Sequence, residues 1–261
     1  EIIPIQKNIQ LVKDLTDCGI INSICSKNSY ENCVNKLKEL GVLEYFVFPS
    51  IDWTPKGHRV KDVIKTMSLR AENVLFIDDD LTNLNEAKHY SELLMIAEPL
   101  IMDNLIEFVS KNPKNDKEHK RLKQYKLLEI KTKEQEKFES NTDFLFASNI
   151  RLVIEHNCKP EAERIHELIL RSNQLNFTKK RIGYDELIMF LDNRNYNCGY
   201  IKVNDKYGDY GIVGFYALKD NELEHFLFSC RTIGLGVEQY VYSKLDCPNL
   251  NISGEVVSLV E

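Results

Sequence analysis

In the first 100 residues, short apolar runs alternate with stretches in which apolar residues recur every three or four positions. Short uninterrupted runs are typical of buried strands, and the wider spacing is typical of helices with one apolar face. The runs predict four strands, at 20–25, 45–48, 73–77 and 94–97, with helices before and between them. Strands that alternate with helices favour an α/β fold with a doubly wound parallel sheet.

From residue 150 onward the pattern changes. Three strand-like runs follow one another at the short spacing of hairpins, which indicates an antiparallel sheet. The predicted strands are 150–155, 198–203, 211–218, 223–229 and 255–260. Helices are predicted from Pro160, over 185–191 and over 237–245.

The stretch between these halves is dominated by Lys, Glu, Gln and Asn and carries only a sparse apolar stripe. Such a segment is typical of a solvated connector. We therefore predict a first domain over 1–110, a charged helical linker over 111–141 and a second domain over 142–261. A chain of 261 residues that is 43% apolar is long enough to form two cores.

Charge and cysteine content narrow the classes of function. The chain has 34 basic and 40 acidic residues, so it has no basic excess with which to neutralise nucleic-acid phosphates. No apolar stretch is long enough to span a bilayer, and no signal peptide is recognisable. The seven cysteines include no Cys-x-x-Cys pair. Together these features favour a cytoplasmic protein with reduced thiols, and neither nucleic acid nor membrane as a partner.

Three groups of polar residues follow predicted strands of the first half. Ser26 can bind an anion through its hydroxyl, Lys56 can place a positive charge on a phosphate, and Asp78 and Asp79 can hold Mg²⁺. Phosphoryl transfer needs these parts, because its catalysis depends on positioning and charge neutralisation. Each part has a structural alternative as well, since a carboxylate after a strand also suits the N-cap of a helix.

In the second half, Arg231, Gly234 and Gly236 form an Arg-x-x-Gly-x-Gly run between a predicted strand and a predicted helix. Small residues there let backbone N–H groups approach a pyrophosphate, although a pair of glycines is also common in ordinary turns. Cys230 and Cys25 are candidate nucleophilic thiols, with burial in a strand as the alternative.

Two further residues have open interpretations. His225 is either a general base or a structural residue of its strand. Trp53 is either a packing residue near Lys56 or a residue that flanks the substrate.

The strings ICSKN at 24–28, IDWTPKG at 51–57 and VLFIDDD at 74–80 resemble the FkbH-like branch of the haloacid-dehalogenase superfamily, subfamily IIIC. The resemblance matches Ser26 to the second motif of that superfamily, Lys56 to the third and Asp78-Asp79 to the fourth. It implies a Mg²⁺-dependent phosphatase or phosphotransferase domain.

The strings RSNQLNFT at 171–178, DKYGDYGIVGF at 205–215 and FLFSCRTIGLGVE at 226–238 resemble the C-terminal half of the same family, which has a GNAT-like acyltransferase fold. The resemblance implies that Arg231, Gly234 and Gly236 bind CoA or a phosphopantetheine arm. It also implies a phosphorylated small-molecule acyl donor and an acyl carrier protein as partners, with transfer of a glyceryl-type group to a thiol.

The chain departs from that family in one motif. The Asp-x-Asp-x-Thr motif that supplies the nucleophilic aspartate on the first strand does not occur before the helix predicted at 1–17. We expect this first strand upstream of Glu1, which is not a Met, and we expect the last GNAT-like strands after Glu261.

Three hypotheses about function follow. The first is a phosphatase or phosphotransferase coupled to acyl transfer onto a carrier-protein or CoA thiol, with Ser26, Lys56, Asp79 and Cys230 as its catalytic residues. The second is a simple small-molecule phosphatase with a non-catalytic GNAT-like binding module. The third is a non-catalytic scaffold that lacks the nucleophilic aspartate.

Overall fold

The chain is a mixed α/β protein that divides into two compact units, Glu1–Glu134 (unit 1) and Gln135–Glu261 (unit 2). The structure is a computed structural model, and it describes residues 5–258. Among these residues, no helix is both long and apolar enough to cross a membrane.

Unit 1 contains two pairs of short parallel strands. One pair is β1 (Cys25–Ser26) with β2 (Ser50–Ile51), and the other is β3 (Leu75–Ile77) with β4 (Met95–Ala97). Within the described residues, each of these strands is paired along only one edge. The parallel direction agrees with the prediction, whereas a single doubly wound sheet is not present among these strands.

Helices connect and cover these pairs. Those of unit 1 are α1 (Gln6–Asp17), α2 (Tyr30–Glu39), α3 (Lys56–Thr66), α4 (Leu81–Tyr90), α5 (Ile101–Lys111) and α6 (Lys120–Gln135). Apolar residues of α3 and α4 form one core with Phe76 of β3, because both helices turn their apolar stripes toward that strand. A separate cluster joins α1 to α5 through Leu11, Leu15 and Val109.

The strand predicted at 45–48 is reduced to a single parallel bridge between Phe46 and Asn22. A 3₁₀ turn occupies Leu43–Tyr45, and β2 begins only after Pro49. Phe48 has a φ of 47°, a left-handed conformation that breaks an extended run. The apolar run is explained by burial instead, since Val47 is fully buried against Met67 and Leu122.

Leu122 lies on α6, so the first part of this helix contributes to the core of unit 1. The division between the units falls after Glu134, inside the predicted linker segment 111–141.

Unit 2 is built on an antiparallel sheet of five strands, as the hairpin spacing predicts. Its order is β5-β7-β8-β9-β6, and its strands are β5 (Arg151–Glu155), β6 (Leu175–Asn176), β7 (Asn197–Asp205), β8 (Gly208–Lys219) and β9 (Glu222–Phe228). Its helices are α7 (Asn141–Ser148), α8 (Ala162–Arg171), α9 (Tyr184–Asp192) and α10 (Val237–Lys244). The two-residue strand β6 was not predicted because its amide-rich sequence has no apolar run.

Both faces of this sheet are buried. One face packs against α8 and α9, with Phe215 and Leu227 at its centre. The other packs against α10, with Phe226 and Phe228 at its centre. Because successive side chains of a strand point to opposite faces, the continuous apolar run of β9 supplies both cores.

The predicted strand at 255–260 is absent over 255–258, and its remaining residues lie outside the described part of the chain.

His225 belongs to the core of unit 2. It is only 1% exposed, its ring lies 5.4 Å from that of Phe190, and its Nδ1 atom has no hydrogen-bond partner. Burial, together with the charges of Lys180 and Arg181, lowers the pKa of His225 to about 4. A buried imidazole without access to solvent favours the structural interpretation over the general base.

The lowered pKa predicts that acid destabilises unit 2. Between about pH 6.5 and pH 4 the unfolded chain binds a proton at His225 that the folded chain does not, so the free energy of unfolding falls as the pH falls. The loss from this residue should approach about 3 kcal/mol at pH 4. His225→Phe should flatten this part of the curve in urea unfolding followed by circular dichroism. An unchanged pH dependence in the variant would contradict this assignment.

Candidate functional site

The candidate site of unit 1 centres on Asp78, which follows β3 and is almost completely buried. Lys56, the first residue of α3, donates a hydrogen bond from Nζ to Asp78 Oδ2 at 2.5 Å. Asn83 Nδ2 and the backbone N–H of Asp80 donate to Asp78 Oδ1 at 2.9 and 3.0 Å. The carboxylate is therefore held at both oxygens.

These donors decide the charge of Asp78. Burial raises the pKa of its carboxyl, but the hydrogen bonds from Lys56, Asn83 and the Asp80 backbone lower it by more, so its pKa lies below the usual value. Asp78 is consequently an anion at neutral pH, and its charge is matched by that of Lys56.

A second lysine extends this network. Lys27 follows β1 and donates from Nζ to Asn83 Oδ1 at 3.1 Å. Among residues 5–258, no carboxylate lies within ion-pair distance of Lys27. The site therefore joins the carboxyl ends of β1 and β3 through Lys27, Asn83 and Asp78, and it has one lysine whose charge no carboxylate balances.

Arg59 of α3 fixes the backbone around the site. Its guanidinium group is buried and donates to Ser50 Oγ at 2.9 Å, to the carbonyl of Ser26 at 2.9 Å, and to those of Asp52 and Thr54 at 3.1 Å each. A further bond reaches the Ser50 carbonyl. One side chain thus ties the end of β1 to the loop that follows β2.

The other predicted residues of unit 1 lie at the carboxyl ends of β1 and β3. Ser26 ends β1, and its hydroxyl makes no hydrogen bond within residues 5–258. Asp79 is exposed. Asp80 is the N-cap of α4 and accepts the N–H of Thr82 at 2.8 Å, so the capping alternative holds for this third aspartate.

The carboxylates of Asp78 and Asp79 are compatible with Mg²⁺ binding, provided that Lys56 first releases Asp78 Oδ2. The described residues include no cluster of three His, Cys, Asp or Glu side chains that could hold a metal ion. Mg²⁺ is commonly bound by one or two carboxylates together with waters and phosphate oxygens, and Asp78 with Asp79 could supply two. Lys56 occupies Asp78 Oδ2, so it must leave that oxygen before a cation can bind there.

The candidate site of unit 2 is the loop between β9 and α10. Cys230 and Arg231 lie in a 3₁₀ turn, and Gly234 and Gly236 adopt φ values of 75° and 69°, which side chains other than glycine rarely adopt. Within the described part of the chain, the N–H groups of Gly234, Gly236 and Val237 make no hydrogen bond. Free N–H groups at the start of a helix can bind an anion.

Glu238 lies in the first turn of α10, directly after this loop. Its carboxyl group is 2% exposed, accepts a hydrogen bond from Ser258 at 2.9 Å at Oε1, and has no partner at Oε2 among residues 5–258. Burial raises the pKa of Glu238 despite its hydrogen bonds. A buried carboxyl with an unused oxygen is costly to stability, and such groups concentrate at functional sites.

The two candidate cysteines differ in their surroundings. Cys25 lies in β1, where burial raises the pKa of its thiol despite the nearby charges of Arg59 and Lys56. This disfavours the reactive thiolate. Cys230 is half-buried at the start of the unit 2 loop.

A scan against models of protein families matched none of them, and searches of curated proteins and of solved structures returned no significant match.

No sequence pattern points to Asn83, Arg59 or Glu238 as site residues. Asn83 and Arg59 lie inside helices, where polar residues are usually solvated.

Arg59 should be required for the stability of unit 1. In Arg59→Lys the single ammonium group cannot reach all the carbonyls that the guanidinium group bonds, which leaves buried acceptors unpaired. We expect the variant to lose about 2–4 kcal/mol of unfolding free energy. Urea unfolding should detect this loss, with the exposed Arg70→Lys as the matched control. Equal unfolding midpoints for the two variants would refute it.

Proposed function

We propose that unit 1 is a Mg²⁺-dependent phosphoryl-transfer domain of the haloacid-dehalogenase type and that unit 2 is a GNAT-like module for CoA or a phosphopantetheine arm. Together they would pass an acyl group of glyceryl type from a phosphorylated small-molecule donor to the thiol of CoA or of an acyl carrier protein. The observation that carries the proposal is the buried Asp78 carboxylate, which holds Lys56 at the end of a parallel strand.

The proposal treats the two strand pairs of unit 1 as parts of one doubly wound parallel sheet. The support is that both pairs are parallel, that β1 and β3 each have an unpaired edge, and that Lys27 and Asn83 bridge their carboxyl ends. A strand between β1 and β3 would pair both edges. The nucleophilic aspartate that this chemistry needs would lie on that strand, which residues 5–258 do not include.

In this mechanism the chain's own residues bind the phosphoryl group. The hydroxyl of Ser26 donates a hydrogen bond to a phosphate oxygen, and Lys27 brings its unbalanced charge to the same group. Lys56 turns from Asp78 to the phosphate and neutralises the charge that develops as the phosphoryl group moves. Arg59 keeps the loops in place, because its bonds go to the backbone on either side of the site.

Asp78 and Asp79 would hold the metal. When bound, Mg²⁺ would neutralise phosphate charge and align the transferring group. When Lys56 moves away, Asp78 Oδ2 becomes available to the metal. Lys56 and Mg²⁺ would therefore bind this oxygen alternately.

In unit 2 the free N–H groups of Gly234, Gly236 and Val237 would bind the pyrophosphate or phosphopantetheine end of the acceptor, and Arg231 would add positive charge. Cys230 lies at the start of that loop. If transfer proceeds through an enzyme thioester, its thiolate would attack the acyl carbon of an acyl phosphate, the acyl C–O bond would break, and inorganic phosphate would leave.

The second candidate function is a simple phosphatase whose GNAT-like unit only binds. The observation that favours it is the surroundings of Cys25, since partial burial raises the pKa of this thiol and leaves Cys230 as the remaining candidate acyl carrier. The two proposals differ in whether the thiol of Cys230 is acylated. A non-catalytic scaffold would require that unit 1 bind neither phosphate nor Mg²⁺.

Because Lys56 and Mg²⁺ compete for Asp78 Oδ2, we predict that Mg²⁺ and inorganic phosphate bind cooperatively. Phosphate draws Lys56 away from Asp78, so isothermal titration should show Mg²⁺ binding roughly tenfold more tightly when phosphate is present. In Lys56→Met the metal should bind more tightly without phosphate, and this cooperativity should be lost. Lys27→Met removes an equal charge that does not touch Asp78, and it should weaken phosphate but keep the cooperativity. Absence of phosphate binding in the presence of Mg²⁺ would overturn the proposed function of unit 1.

The loop of unit 2 should bind CoA. Gly236→Ala places a side chain at a φ of 69°, and the resulting strain should turn the loop N–H groups away and weaken CoA binding by about tenfold. Gly254→Ala strains a glycine of similar φ outside the loop and should leave the affinity unchanged. Titration of the wild-type chain with CoA comes first. No binding there would rule out a CoA-binding role for unit 2.

A further inference from the structure

Trp53 is the single tryptophan of the chain, and it is 73% exposed. It was expected either to pack near Lys56 or to flank the substrate, and its exposure excludes the packing role. An indole ring that is left in water forgoes a large favourable burial, so its position calls for an explanation.

The loop that carries Trp53 is held on both sides. Asp52 Oδ1 accepts a hydrogen bond from the N–H of Thr54 at 2.7 Å and another from its hydroxyl. Arg59 Nη1 donates to the carbonyls of Asp52 and of Thr54, so one nitrogen clamps the residues before and after Trp53. A floppy loop does not account for the exposure of this ring.

Trp53 also lies next to the proposed phosphate site. It is three residues from Lys56, and the N–H of Asp52 bonds to the carbonyl of Ser26 at 3.2 Å. The other two loops of the site show the same arrangement, since exposed Tyr30 follows the loop of Ser26 and Lys27, and exposed Leu81 follows Asp78 to Asp80. Each polar loop is thus accompanied by one exposed apolar side chain.

We propose that Trp53 is a specificity-determining residue that packs against the organic part of the phosphate ester bound at Ser26, Lys27 and Lys56. The ligand class is a phosphate monoester or acyl phosphate whose carbon skeleton covers the indole ring. This proposal rests on the proposed phosphate site and adds to it the part that distinguishes one ester from another.

Phenyl phosphate and inorganic phosphate are suitable probes, because both present a phosphate group and only the first can stack on an indole ring. Their affinities for the chain are measured by isothermal titration with Mg²⁺ present. We expect Trp53→Ala to weaken phenyl phosphate by about tenfold and to leave inorganic phosphate unchanged. Trp53→Phe keeps an aromatic face and should retain most of the affinity for phenyl phosphate.

Because Trp53 is the single tryptophan, its fluorescence reports directly on this contact. Phenyl phosphate should protect the indole from iodide quenching, and inorganic phosphate should not. If inorganic phosphate binds but Trp53→Ala binds phenyl phosphate as tightly as the wild type, or if quenching is unchanged, Trp53 has no recognition role and the phosphate site stands. If inorganic phosphate itself fails to bind, the proposed function fails and this inference fails with it.

Discussion

The structure of unit 1 around its site depends on one buried charge, the carboxylate of Asp78. A carboxylate taken out of water must be matched by a positive charge and by hydrogen bonds at its remaining lone pairs. Lys56 meets the first requirement, and Asn83 and the backbone of Asp80 meet the second. These partners come from the starts of α3 and α4, so the burial of one group fixes where two helices begin relative to β3.

Much of the fold could be predicted from apolar spacing alone. The spacing predicts α1 to α4, α6, α8 to α10 and the longer antiparallel strands of unit 2, whereas it does not single out α5, α7 or β6. The strand prediction at 45–48 failed because an apolar run indicates that side chains are buried, and it does not show that the backbone is extended. Val47 is buried and Phe46 forms one parallel bridge with Asn22, but Phe48 turns into a left-handed conformation, so β2 begins only at Ser50. Spacing is also silent on strand length: the strand predicted at 20–25 is present only as a bridge at Asn22 and as β1, which begins at Cys25 and ends at Ser26.

The residues of the candidate site also fall into two groups, those that the sequence indicates and those that it does not. Ser26, Lys56 and Asp78 were candidates because each lies at or after the carboxyl end of a predicted parallel strand, where ligands bind in α/β proteins. Asn83 and Arg59 could not be found, since their roles arise from distances across the fold that no local spacing encodes. Glu238 was missed for a different reason, because a glutamate in the first turn of a helix is ordinary and only its burial makes it unusual.

Arg59 holds the loops of the site mainly through main-chain carbonyls, with the Ser50 hydroxyl and the Asp52 carboxylate as its side-chain partners. Every residue type offers the same carbonyl, so this larger part of the clamp does not depend on which side chains the loops carry. Substitutions at Trp53 can therefore accumulate without disturbing the backbone that positions Lys56. Under the proposed function, such a site can accept a different side chain at position 53, and so a different organic group, while the residues that bind phosphate stay in place.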